Sequence, residues 1–130
     1  MRVLGDHATV RQAKPITLPN SRAEPEPDIA IVQPLGREYL SHHPYSENIF
    51  WIIKYSDSNL SKDLNLKTQV YAKVNIPEYW VVDLKRQILI VFREPEAGQH
   101  RSQTEHTEGQ ITSLAFPNIA LSVSSIIDKT

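Results

Sequence analysis

The chain has 130 residues, 40% of them hydrophobic and 22% charged, which fits one globular domain spanning 1–130 and excludes a disordered chain. A net charge of −1 lacks the basic footprint of a dedicated nucleic-acid binder, and the absence of cysteine excludes disulfides and thiolate metal sites. No run approaches the ~18 apolar residues of a membrane span, and Met1-Arg2-Val3-Leu4-Gly5-Asp6 lacks a signal peptide's apolar core; a cytoplasmic protein with no membrane partner is expected.

In chain order, Thr9 to Ile16 alternates loosely and reads as an edge strand broken by Pro15. Pro19 to Pro27 is loop. Asp28-Ile29-Ala30-Ile31-Val32 is a short strand closed by Pro34 and Gly36, and Arg37 to Glu47 is a polar excursion. Ile49-Phe50-Trp51-Ile52-Ile53-Lys54-Tyr55 reads as a central strand, because five consecutive apolar residues suit a strand covered on both faces. It ends in the polar Ser56-Asp57-Ser58, and a helix is expected from Ser61 to Val74, stopped by Asn75-Ile76-Pro77. Glu78 to Asp83 and Ile88 to Phe92 read as a hairpin about Leu84–Gln87. Gln99 to Thr107 is a further exposed strand, and Gly109 marks a turn before Ile111. Leu114-Ala115-Phe116-Pro117 and Ile119 to Val123 are short apolar pieces, and Ser124 to Ile127 is a last turn of helix. A central strand apolar on both faces needs two covering layers. One long helix supplies only one, so a partner subunit or elements lost before Met1 are expected to supply the other.

Three residues invite chemistry. Asp28 opens its strand and either caps the strand entrance or ligates a hard cation, which takes oxygen ligands. Lys67 shares the helix stripe of Leu60, Leu64, Tyr71 and Val74; it either snorkels to solvent, pairs with a carboxylate such as Asp63, or sits in a site. Lys54, near the end of the central strand, needs an anion beside it, and Asp28 on a neighbouring strand is the expected partner. Charge is unevenly distributed. Two arginines face five carboxylates from Asn20 to Phe50, and seven cations face four carboxylates from Lys54 to Arg93. His42-His43 offer no metal-binding spacing, and neither a glycine-rich phosphate loop nor a Gly-x-Ser-x-Gly elbow is present.

Taken as a set, Glu24-Pro25-Glu26-Pro27-Asp28-Ile29-Ala30-Ile31-Val32, Ser56-Asp57-Ser58 with Asp63 and Lys67, Tyr71-Ala72, and Ile76-Pro77-Glu78-Tyr79-Trp80-Val81-Val82-Asp83 resemble the Uma-two family. That family, abundant in cyanobacteria, is grouped with the PD-(D/E)XK restriction endonucleases. The resemblance implies an α/β (α+β) fold: a restriction-endonuclease-like mixed sheet with one main helix between central strands. It implies DNA as partner and Mg²⁺ or Mn²⁺ as cofactor. By the same resemblance Asp28 is the motif aspartate and a metal ligand. Tyr55 offers its backbone carbonyl to the metal. Lys67 is the motif lysine, moved onto the helix, where it orients the attacking water and stabilises charge on the phosphate.

The sequence departs from the family's pattern twice. Lys54 stands where the family usually has a glutamate, the second acidic ligand, so metal affinity is expected to fall; Glu26 and Asp57 are the carboxylates available to compensate. The helices and hairpin that precede this stretch in the resembled proteins are missing ahead of Thr9, which suggests a partial domain completed by self-association as a homodimer. The expected function is a metal-dependent DNA endonuclease domain impaired at Lys54. The alternatives are an active enzyme with a rearranged site and a non-catalytic nucleic-acid- or protein-interaction module.

Overall fold

The unbroken apolar run at Ile49–Ile53 lies in β3 (Ile49–Ser56), a strand inside a six-stranded sheet. The computed structural model describes residues 8–12, 16, 28–56, 71, 76–96 and 99–128. Around β3 stand β1 (Thr9–Gln12), β2 (Ile29–Val32), β4 (Glu78–Asp83), β5 (Ile88–Glu96) and β6 (Gln99–His106), in the spatial order β1-β2-β3-β4-β5-β6. All neighbours are antiparallel except β3 and β4, which run parallel. A parallel pair needs a crossover of a dozen or more residues, and 57–77 provide it. The helix expected from Ser61 to Val74 falls in this crossover and lies outside the described residues, apart from Tyr71, which is helical.

Side chains alternate through the sheet. Ile29, Ile31, Trp51, Ile53, Trp80 and Val82 point to one face, where the Trp51 and Trp80 rings pack 5.3 Å apart. Ala30, Val32, Ile52, Tyr79 and Val81 point to the other. One irregularity interrupts the pattern. Val32 pairs with Ile49 while Ile31 pairs with Trp51, so Phe50 is an extra residue in β3 and packs on the same face as Trp51.

The layer expected from a partner or from lost elements is furnished on the Trp51 face by the chain itself. The hairpin of β7 (Gln110–Ile111) and β8 (Leu121–Ser122) lies there with α1 (Val123–Ile127), burying Ile111, Leu121, Val123, Ile126 and Ile127 against the sheet. Ser122 caps α1 by accepting the Ser125 N–H. On the opposite face Ile16, Tyr71 and Ile76 join the core. The sequence pattern understated this cover because it comes in short pieces with no long amphipathic period.

Two carboxylates on β4 are buried. Glu78, 0% exposed, accepts from Trp80 Nε1 at 2.6 Å, Arg93 Nε at 2.7 Å and the Leu114 N–H at 2.9 Å. Arg93 continues to the Thr112 carbonyl, tying the C-terminal cover to the sheet. Asp83 closes the β4–β5 turn, accepting the Lys85 and Arg86 N–H groups and the Arg86 guanidinium. Burial alone pushes the Asp83 carboxyl up, but these donors outweigh it and hold it below the usual value. The second hairpin strand runs past its expected end at Phe92 to Glu96. Pro95 is tolerated there because β4 begins opposite Arg93, so beyond that point β5 has β6 as its one neighbour.

Candidate active site

Asp28 precedes β2, and the β2–β3 register carries it opposite Lys54, since Ile29 pairs with Ile53. Both residues fall on the face that holds Tyr71. Lys54 Nζ lies 3.6 Å from Asp28 Oδ2, with the lysine side chain 33% and the aspartate 37% exposed. The same Oδ2 accepts the Tyr55 N–H at 2.7 Å. β2 begins at Ile29, so the Asp28 carboxylate replaces the ladder partner that Tyr55 would otherwise lack. In an extended strand a residue's N–H and C=O point the same way, so the Tyr55 carbonyl is also directed to the Asp28 side. The expected Lys54–Asp28 pair is therefore present, and Tyr55 adjoins it.

Two tyrosines sense this carboxylate. Tyr71, 3% exposed and packed edge-on against Tyr79 at 4.9 Å, has its phenol pushed up to about 12 by burial and then by the Asp28 charge. Tyr55 is likewise raised to about 12, by burial and then by Asp28. The Tyr55 hydroxyl donates to the Ile126 carbonyl at 2.9 Å, fastening the end of β3 to α1. Tyr71, expected from the sequence as a stripe residue and part of a motif, lies close enough to Asp28 to feel its charge. A tyrosine on the sheet-facing stripe one helical turn after Lys67 was the available signal.

The sequence candidates Lys67, Asp63, Asp57 and Glu26 lie outside the described residues. Among the described residues no group of three His, Asp or Glu side chains could hold a metal ion. Among the described residues the donor set around Asp28 is a poor fit for a hard divalent cation such as Mg²⁺, which is held through one or two carboxylates with waters completing its shell. It supplies one carboxylate, whose Oδ2 already serves an amide and stands beside an ammonium, together with the Tyr55 carbonyl on the same side. What the described arrangement can do is present a partly exposed cation next to an anion at the C-terminal end of a central strand.

A six-stranded mixed sheet with one parallel central pair, covered on one face by short C-terminal elements, is an α+β fold. The chain is similar to a solved structure from Anabaena variabilis ATCC 29413 described as "a putative nuclease belonging to DUF820", with a TM-score of 0.64 and 14% sequence identity. The likeness covers 94% of this chain and 69% of that one. The profile of the family Uma2, "Putative restriction endonuclease", matches residues 3–124, and the chain belongs to that family. No curated protein matches it. Among the described residues no helix is long and apolar enough to cross a membrane.

Proposed function

We propose that this domain is a DNA-directed nuclease relative whose phosphodiester hydrolysis is impaired, because Lys54 occupies the position of the second acidic ligand. The observation that carries this reading is the 3.6 Å approach of Lys54 Nζ to Asp28 Oδ2. The ammonium balances the charge of the one described carboxylate in the site and takes space a second carboxylate would fill, so binding of Mg²⁺ or Mn²⁺ is weak. The cation instead favours a phosphate backbone by sequence-independent electrostatics. Lys67, supported by Asp63, is the second cation assigned to the DNA phosphates, and Glu26 and Asp57 are the acids from which a working site could be rebuilt. The compartment is the cytoplasm and the assembly a homodimer, whose surface is argued below.

Supercoiled plasmid incubated with Mg²⁺ or Mn²⁺ tests the reading. The chain is expected to leave the plasmid intact, and Lys54→Glu is expected to gain Mn²⁺ binding by calorimetry. Metal-dependent nicking by the unaltered chain, lost in Asp28→Ala, refutes the impairment. A folded Lys54→Glu protein that gains no metal affinity favours the non-catalytic interaction module.

A further inference from the structure

Sheet edges are normally blunted, because their outward N–H and C=O groups invite another strand. Of the two edges of the sheet formed by the described residues, β1 is blunted by being only four residues long. The other, β6, is not. It runs for eight residues, keeps one register against β5 on either side of Glu94, whose positive φ leaves Arg101 without a ladder partner there, and contains no proline and no lysine. Its Arg101, Gln103, Thr104 and Glu105 side chains are exposed.

The order of charges on this edge has a symmetry of its own. Arg101 and Glu105 are four residues apart and therefore on one face, with Gln103 midway between them. Gln103 is opposite Phe92 and Glu105 opposite Ile90 on β5, so this face is the Tyr71 side of the sheet. If a second copy of β6 is laid antiparallel with the two-fold axis at Gln103, each Arg101 falls opposite Glu105 of the second copy. Each Ser102 then falls opposite Thr104 of the second copy. Opposite charges and paired hydroxyls directly across strands are favourable contacts, and a two-fold axis repeats each of them. Within one chain Arg101 already reaches a carboxylate, with Nη1 2.8 Å from Glu96 Oε2, but that pair is exposed at 67% and 62% and is readily exchanged.

We propose that β6 is a self-pairing edge: two copies of the chain join β6 to β6 antiparallel about Gln103, giving one continuous twelve-stranded sheet. This names the surface of the homodimer in the reading above and does not depend on whether the domain cleaves DNA.

Light scattering on the full chain and on two charge variants tests it. The unaltered chain is expected at twice its 14.8 kDa mass at about 100 µM. Arg101→Glu places like charges opposite one another at both symmetry-related positions, and so does Glu105→Arg. Each is expected to weaken dimerisation by roughly tenfold or more while the circular dichroism of the fold is kept. Mixing the two variants re-creates opposite-sign pairs at both positions and is expected to restore the dimer mass, as is the double variant Arg101→Glu/Glu105→Arg. A monomeric unaltered chain overturns the proposal. Single variants that stay dimeric, or a mixture that fails to re-associate, overturn it as well. Plasmid cleavage is a separate measurement, so failure here and failure of the hydrolysis reading are distinguishable.

Discussion

Replacing Arg93 by methionine keeps most of the aliphatic stem and removes the guanidinium from the buried Glu78. Glu78 would retain Trp80 Nε1 and the Leu114 N–H but lose its cation, and the Thr112 carbonyl would lose its donor. Removing one partner of a buried pair costs about 3–5 kcal/mol. Arg93 is 26% exposed, so water can approach the vacated side, and the lower end of that range, about 3 kcal/mol, is expected. For a chain of this size that corresponds to a fall of roughly 10 °C in Tm. Urea unfolding followed by tryptophan fluorescence is a suitable assay, because Trp51 and Trp80 are both fully buried and Trp80 donates to Glu78 itself. The Glu78→Gln/Arg93→Met double variant completes a cycle, and the two single losses are expected to miss additivity by about 1 kcal/mol or more. A loss below about 1 kcal/mol for Arg93→Met, or strict additivity, would refute the idea that this pair fastens the C-terminal cover.

Burial lowers the His100 pKa, and the bond from Nε2–H to the Ile76 carbonyl offsets only part of the effect. The unfolded chain therefore takes that proton first, and stability should fall as pH drops below about 6.5 toward the folded-state value. His100→Gln should flatten this slope in melting temperatures measured from pH 7 to 5. The Asp83 pKa is lowered on balance, so its contribution is present above its ordinary value of 3.8 and is lost as pH falls further. Asp83→Asn should remove that acid dependence. Alkaline titration by ultraviolet absorbance should find Tyr55 and Tyr71 ionising near pH 12. Asp28→Asn should bring both down part of the way only, since burial is the larger cause. Their raised values stabilise the fold below pH 10, and this contribution is lost as pH rises from 10 to 12.

Much of the sheet was legible because its strands carry unusual runs. Glu78 to Asp83 was bounded to the residue, and a helix was expected between the two central strands, although their parallel pairing was not read from the sequence. The Lys54–Asp28 pair followed from a simple need, a cation near the end of an apolar strand requiring an anion. Other features were hidden for physical reasons. The Phe50 bulge leaves no trace in a run that is apolar throughout. The Glu78–Arg93 pair joins residues fifteen apart, and Arg93 lies one residue past the expected end of its strand at Phe92. The β7–β8 hairpin has two-residue strands, too short for any periodicity to register.

Two of the carboxylate–cation pairs set across adjacent strands of the described sheet, Glu78–Arg93 and Lys54–Asp28, sit in different environments that assign them different work. Glu78 is dry and saturated: one cation, one indole and one amide surround it, the closest at 2.6 Å, and the charge has no reason to seek a ligand. Lys54–Asp28 is looser at 3.6 Å and about a third exposed on both sides, so solvent screens it and its partners can be exchanged. A pair of the first kind fixes structure, and loss of either member unfolds part of the cover. A pair of the second kind contributes little to stability, and Lys54→Met should cost less than about 1 kcal/mol in urea. Asp28 serves the Tyr55 N–H, but the placement of Lys54 beside it at the end of the central strand is left without a stability explanation, which is why we propose that lip, and not the better-formed pair on β4 and β5, as the functional one. A measured loss from Lys54→Met as large as that from Arg93→Met would reverse the assignment.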